Sequence, residues 1–412
     1  MNRTKNTCVY GRQIELTGNV LLLMGPIGTF FSRLGNYLER KQIQTYKVIF
    51  PFYEFGFKKN QIINFNHKID LFEPFLIEVI KEKKIKHIFM YGDILTPHRI
   101  AIDTCKRLRT EGIDVSTEIF ELGYLRPNYV TLEKNSVNFK SNIPKERSFY
   151  EHLIVSNVIP RPKYKMGIRL RKIWKGITFI QHSLTNYKIV PYQHKLQPKP
   201  IYLYYQALGL VRKYIYSLTE YKLKKNIGRD RKYFLVVLQV AIDSQIIEGS
   251  KFESVEDFIK YVIKSFKNSN VKDVNLVIKH HPRDRGYNNY SKLIKEEKKK
   301  YNLNKNIIYI HDEKIANLLR NPNCKGSVIV NSSVGIQALF HNIPVKALGR
   351  AIYDIDGLTD QKSLDEFWKD PFGPDRKLFI SFYNYILQQT QINGNFDGFF
   401  PFDDVFKINR GI

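Results

Sequence analysis

Cysteine is scarce in this 412-residue chain: Cys8, Cys105 and Cys324 are all it has, odd in number, far apart and without a C-x-x-C pair. That pattern excludes a disulfide framework and a cysteine zinc site, and it fits a reducing compartment. Long apolar runs are missing as well. No stretch approaches the ~20 residues of a spanning helix. Met1 to Gly18 has no apolar core ahead of a cleavage site, so no signal peptide is expected. Negative charge is short: 39 Asp and Glu face 66 Lys and Arg, a formal net charge of +27. Low-complexity tracts and short-period repeats are absent.

Hydrophobic residues make up 43% of the chain and charged ones 25%, so sizeable cores are feasible and disorder is a poor overall description. At ~100–200 residues per domain the length allows two. The positive charge is gathered in one place. From Arg161 to Lys232 there are 18 Lys and Arg against two acids, Glu220 and Asp230, which is 16 of the 27 net charges. A lysine-rich composition would raise the total without concentrating it. Such a field attracts nucleic acid, anionic lipid or phosphorylated substrates. Inside it, Ile201–Lys225 spaces apolar and Tyr residues at helical intervals beside Lys and Arg. Two readings stay open: a helix lying on anionic lipid, or one packed on its neighbours with a solvated Lys face.

The first part alternates strands and helices. Strand patterns at Asn19–Met24, Tyr46–Phe50, His87–Tyr91 and Val115–Phe120 are separated by helical ones at Thr29–Arg40, Leu76–Lys84 and Pro97–Glu111. A second set follows, with strands at Tyr233–Val240, Val274–Lys279, Ile307–Ile310, Ser327–Asn331 and Pro344–Leu348. Ser254 and Asp257 form an S-x-x-D helix start, and Leu364–Trp368 and Leu378–Gln389 read as terminal helices. Alternation of this kind predicts parallel, doubly wound sheets. We expect an α/β, GT-B-like architecture, with two Rossmann-like domains facing a cleft. The boundaries are 1–143 for an acceptor-side domain, 144–232 for a basic helical subdomain, 233–365 for a nucleotide-sugar domain and 366–412 for C-terminal helices.

Ligands of parallel sheets sit beyond the carboxyl ends of strands, and the segments there are polar. They are Glu121–Pro127, Asp243-Ser244-Gln245, His280–Gly286 and Asn331–Gly335. Ser332 and Ser333 stand where a strand becomes a helix, so hydroxyls and backbone N–H groups can meet a phosphate there. Lys279 and His281 add donors from a neighbouring strand end. Capping alone also explains a Ser pair, and packing explains His280. Gly25-Pro26-Ile27-Gly28 lacks the remainder of a G-x-G-x-x-G or P-loop fingerprint. It serves a tight turn or a close ligand approach, and Glu121 has Arg126 as a possible ion-pair partner. No Asp/Glu cluster resembles a metal cage, so metal-independent phosphate binding is the simpler expectation. Asp243 and Glu121, one from each half, are a candidate pair of the kind that glycosyl transfer with retention can use as nucleophile and acid/base, and a turn start is the plainer reading of Asp243.

At these residues the chain resembles the capsule polysaccharide biosynthesis family, of the KpsS/LipB β-Kdo transferase type. The resemblance runs through NVLLLMGPIGTFFSRL (Asn19–Leu34), FELGYLRPNYVTLE (Phe120–Glu133), LQVAIDSQI (Leu238–Ile246), LVIKHHPRDRGY (Leu276–Tyr287), the stretch Val330–Gln361 and TQINGNF (Thr390–Phe396). It implies CMP-Kdo as donor, no cofactor or metal, and β-Kdo transfer onto phosphatidylglycerol or lyso-phosphatidylglycerol. It implies a CMP site at His281-Pro282 and Ser332-Ser333, to which Lys279 and Gln239 are added, with Asp243 as nucleophile and Glu121 as acid/base. Gly25, Gly28 and Arg126 are placed with the acceptor or its loops. The expected setting is cytoplasmic, peripheral at the inner face of the inner membrane, in contact with anionic lipid and other capsule assembly proteins. Alternatives are a sialyltransferase or Kdo-elongating enzyme of the same build, or, less favoured, a non-enzymatic basic capsule-export or nucleic-acid-binding protein. Nucleic acid is not an expected partner, since no helix-turn-helix, zinc knuckle or RNP-like strand is present.

Overall fold

The computed structural model describes residues 12–26, 28–50, 61–153, 158–164, 200–241, 244–303 and 306–408. Asp243 and residues 165–199 of the basic segment lie outside these residues. Strands in chain order are β1 (Ile14–Leu16), β2 (Asn19–Leu22), β3 (Thr45–Ile49), β4 (Ile62–Asn64), β5 (Ile85–Tyr91), β6 (Ser116–Leu122) and β7 (Tyr129–Lys134). They continue with β8 (Lys232–Val237), β9 (Val274–Lys279), β10 (Ile307–Ile310), β11 (Cys324–Ile329), β12 (Val345–Ala347), β13 (Gln391–Asn393) and β14 (Phe406–Ile408). Two compact units result. One comprises the described residues of Met1–Asn142, Pro160–Pro200 and Tyr385–Ile412, the other those of Ile143–Ile159 and Ile201–Asn384.

The first unit is a sheet ordered β13-β7-β6-β5-β2-β3-β4. From β4 to β6 all neighbours run parallel, while β7 and β13 are antiparallel additions. The run NVLLL is apolar throughout because both sheet faces are covered. Val20 and Leu22 pack with Phe30, Phe31, Phe120 and Phe396 on one side. Leu21 and Leu23 pack with Phe72, Leu76, Ile88 and Leu108 on the other. The covering helices are Phe30–Arg40, Phe72–Glu82 and Thr96–Thr110. The last begins with Pro97 in its first turn, where the missing N–H costs nothing.

The second unit is a five-stranded sheet, β10-β9-β8-β11-β12, parallel throughout. Phe234, Val236, Leu276, Ile278 and Val328 point to one face, against the helix Val255–Ser269 and Trp368. Ser254 starts that helix as expected, its hydroxyl accepting the Asp257 N–H at 3.1 Å. Asn270 ends it in the left-handed conformation. Trp368 is buried with its indole N–H satisfied by Ser265 at 2.9 Å.

In each unit the parallel strands, taken in their own sequence, lie in the order 3-2-1-4-5, the doubly wound Rossmann arrangement. Two Rossmann-like α/β units in one chain make up the GT-B class expected from the sequence. Each switch point falls where the first and fourth parallel strands are neighbours: β2 beside β5, and β8 beside β11. Among the described residues, no helix is long and apolar enough to cross a membrane.

Candidate active site

The switch point of the second unit is closed by amides. Gln239, just past β8, donates to the Asn331 side-chain oxygen at 3.1 Å and accepts the Asn331 N–H at 3.2 Å. Asn331 donates onward to the Gln245 carbonyl at 2.7 Å. The turn that follows is held from below. The Tyr353 hydroxyl donates to the Ser332 carbonyl at 2.6 Å, and a Cβ on Gly335 would stand 2.3 Å from the Tyr353 ring. Ser332 Oγ accepts the Val334 N–H at 3.3 Å, while Ser333 makes no side-chain cap. Both serines are half-buried, so their hydroxyls remain within reach of a ligand.

One strand over, HHPRDRGY forms a second polar turn. Pro282 and Arg283 are exposed, and His281 accepts the Arg283 N–H at Nδ1 over 3.2 Å. His280 is fully buried, its Nδ1 paired with the Tyr309 hydroxyl at 2.7 Å, and burial pulls its pKa down to about 3. It is the packed histidine that the sequence allowed. Lys279 is buried too. Its ammonium donates to the carbonyls of His280 and His311, both at 2.8 Å, and burial lowers its pKa to about 8. Its donors therefore go to the backbone that shapes the site. Asp284, which carries no role in the sequence reading, is the hub of this turn. It accepts from Asn288 at 3.0 Å, the Tyr290 hydroxyl at 3.2 Å and the Ala241 N–H at 3.4 Å. Asp284 so ties the loop leaving β8 to the loop leaving β9, and burial raises its pKa.

A helix, Pro200–Thr219, braces the same strand ends. A Cβ on Gly286 would stand 1.9 Å from the Tyr205 carbonyl oxygen, so only glycine lets the helix come this near. Arg212 donates to the Arg285 carbonyl at 2.7 Å. Tyr216 stacks on His311 with ring centres 3.7 Å apart. Glu220 caps the end of β10, accepting the His311 N–H at 3.0 Å and meeting its Nδ1 at 2.5 Å. The segment composition suggested a basic helix, but nothing in it singled out Glu220, whose partner lies 91 positions away.

The first unit presents acids. Glu121, near the end of β6, is half-buried and accepts the Leu122 N–H at 2.8 Å. Its carboxylate lies over Gly92, where a Cβ would stand 3.4 Å from Oε2; Gly92 also has φ +71°, a left-handed backbone that favours glycine. Next to it Asp93 is buried and accepts the Val137 N–H at 3.2 Å. Burial pushes the pKa of Asp93 up, and the negative charge of Glu121 adds to the rise. His98 is buried against the Gly92 carbonyl at 2.8 Å, and burial lowers its pKa to about 4.

The other residues expected at this end are framework. Gly25 makes room for the Phe31 ring, which a Cβ would meet at 2.7 Å. Gly28 has φ +119° and faces Asp397. Arg126 is exposed, with Nε donating to the Gly123 carbonyl at 3.1 Å. TQINGNF forms β13. Gln391 accepts the Leu125 N–H at 3.2 Å and donates to Thr131 at 3.0 Å, while Asn393 donates to the Asn128 carbonyl at 2.8 Å. These amides anchor the loop that follows Glu121. Asp243 lies outside the described residues.

A profile of the capsule polysaccharide biosynthesis protein family matches residues 87–397. The chain is 35% identical over 407 residues to the capsule polysaccharide modification protein LipB of Neisseria meningitidis serogroup A, covering 94% of each chain. It is 36% identical over 386 residues to the capsule polysaccharide export protein KpsS of Escherichia coli, covering 90% of this chain and 95% of that one. Among solved structures, KpsC of Thermosulfurimonas dismutans, a beta Kdo 2,7 transferase, is 13% identical with a TM-score of 0.42, over 89% of this chain and 90% of that one. On the extent of the profile match and the full-length identities, the chain belongs to the capsule polysaccharide biosynthesis protein family.

Proposed function

We propose that the protein is a retaining β-Kdo glycosyltransferase that moves Kdo from CMP-Kdo to a phosphatidylglycerol or lyso-phosphatidylglycerol acceptor, starting the capsule glycolipid. The observation that carries this reading is the polar crossing at the second switch point. There Gln239, Asn331 and the Ser332-Ser333 turn bring amides and hydroxyls to the position where a doubly wound sheet receives a nucleotide. His281 adds a half-buried ring from the neighbouring turn. CMP is a good leaving group, so holding its phosphate matters more than protonating it.

The chemistry balances as two displacements. The Asp243 carboxylate attacks C2 of Kdo, and the C2–O bond breaks with its electron pair leaving on CMP. The acceptor hydroxyl then attacks the same carbon while Glu121 takes its proton. The ester bond to Asp243 breaks and restores the carboxylate. Two inversions give net retention. Glu121 suits the base role by standing half-buried at a strand end, its carboxylate over Gly92. An anionic lipid acceptor suits a chain of net charge +27 working peripherally at the cytoplasmic face of a membrane.

The test is transfer in vitro, with CMP-Kdo generated in situ, a fluorescent lyso-phosphatidylglycerol and product mass as readout. Gain of one Kdo is the expected result. CMP binding without product would move the reaction to another donor or acceptor, and absence of both would remove the site assignment.

A further inference from the structure

The helix Pro200–Thr219 has two faces of opposite character. Tyr205, Gly209, Arg212 and Tyr216 meet the turn at Gly286 and His311, and Glu220 closes that side. At 100° per residue the opposite side carries Tyr204, Val211, Tyr214, Ile215 and Leu218. These five are between 49% and 79% exposed. Their spacing is that of a core stripe, yet they face solvent. Tyr221, on the short helix Tyr221–Asn226, extends the exposed aromatic set.

The charge around this stripe has one sign. From residue 200 to 232 there are eight Lys and Arg and two acids. One of the acids, Glu220, is buried on His311 and contributes nothing to the outer surface. Lys213 is exposed beside the stripe, as are Lys222 and Lys225 just after it. Exposed apolar side chains, tyrosines and a rim of lysines, with Asp230 the one exposed acid of residues 200–232, match an anionic bilayer surface: tyrosines seat at headgroup level and lysines meet lipid phosphates.

We propose that the outer face of Pro200–Thr219, with the lysines of Tyr221–Asn226, docks the protein on an anionic membrane surface. The proposal rests on the lipid-acceptor reading above and names the surface that would bring the second unit to its acceptor. The inner face of the same helix braces the turns after β9 and β10, so the docking face is mechanically joined to the candidate nucleotide site.

Flotation of the full chain with vesicles tests it, independently of activity. The chain should float with mixed phosphatidylglycerol and phosphatidylcholine vesicles and much less with phosphatidylcholine alone. Tyr214→Ser with Leu218→Ser should lower binding by about tenfold or more at an unchanged melting temperature. Lys222→Gln, Lys224→Gln and Lys225→Gln together should remove the preference for phosphatidylglycerol. Transfer to detergent-dispersed lyso-phosphatidylglycerol should stay at the parent level in both variants. Wild-type binding by either variant, or no vesicle binding by the parent, overturns the proposal. So does a self-associated parent that the Tyr214→Ser, Leu218→Ser pair converts to monomer, because the stripe would then cover a second copy. Absence of transfer by the parent, with vesicle binding lost as expected, would overturn the reaction and leave the docking surface standing.

Discussion

At the carboxyl ends of the first sheet the polar groups are acids: Glu121 over Gly92, with Asp93 buried beside it. At the carboxyl ends of the second the groups left to a ligand are amides, hydroxyls and a histidine, Gln239, Asn331, Ser332 and His281, while the carboxylates there, Asp284 and Glu220, are tied up in the turns around them. The order of the parallel strands is the same in both, so topology alone does not distinguish them. The side chains after the strands do. A site rich in N–H and O–H donors receives an anion; a site rich in carboxylates repels it and accepts protons instead. On the proposed reaction the second unit holds the phosphate and carries the nucleophile Asp243 while the first supplies the acid/base Glu121, so substitutions at the switch-point amides and at the two carboxylates should fail in different ways.

The largest expected effect is on chemistry. Asp243→Ala should abolish transfer, by about four orders of magnitude or more, with CMP affinity retained. Glu121→Gln should follow with a loss of ~10²–10⁴ in kcat, again without loss of CMP binding. Single-turnover rates alongside calorimetric CMP titration separate the two quantities. A Glu121→Gln protein that lost CMP binding would break the division between the units.

Substitutions at the second switch point should show the converse. Gln239→Leu leaves the Asn331 amide and N–H without their partner, a cost of ~1–3 kcal/mol in a buried setting. CMP affinity should fall by about tenfold or more while the rate of bound complexes changes little. Gly286→Ala acts on the brace instead. Its new methyl meets the Tyr205 carbonyl, so the helix must shift, at ~1–3 kcal/mol. A lowered melting temperature is expected, and an unchanged one would mean the helix is not pressed on that turn.

Much of this was legible in the sequence, for a physical reason. Strands buried on both faces write themselves as apolar runs, and NVLLLM, FLVV and VNLVIK show it plainly, as the S-x-x-D pattern shows the cap at Ser254. The short strands β1, β4, β13 and β14, of three residues each, carry no such signal. TQIN looks like a polar loop because its side-chain amides act through hydrogen bonds with Leu125, Thr131 and Asn128, far off in the chain. Candidate site residues are legible where they follow a strong strand, as Gln239, His281, Ser332 and Glu121 do. Asp284 and Glu220 are not, since each takes its place through partners that only folding supplies. Lys279 shows the limit from the other side: its position at a strand end is as expected, but its donors go to backbone carbonyls.

The smallest effect, a few degrees of melting temperature at most, comes from pH and has opposite signs at two buried groups, one in each unit. In the first, burial raises the Glu133 carboxyl from an ordinary 4.5 to about 7. The folded chain then holds a proton that the unfolded chain releases, so this group's stabilisation is complete below about pH 4.5 and lost as pH rises to about 7. In the second, burial lowers His280 from 6.5 to about 3. The unfolded chain takes up a proton that the folded chain refuses, so stability falls as pH drops from about 6.5 toward 3. Melting temperatures taken relative to the parent chain isolate each group, because a constant packing loss shifts the baseline and leaves the slope. Glu133→Gln should gain on the parent as pH rises from about 5 to about 7, and His280→Gln should gain as pH falls over the same range. Slopes of one sign would mean that at least one of the two groups does not keep its buried, neutral state in the folded chain.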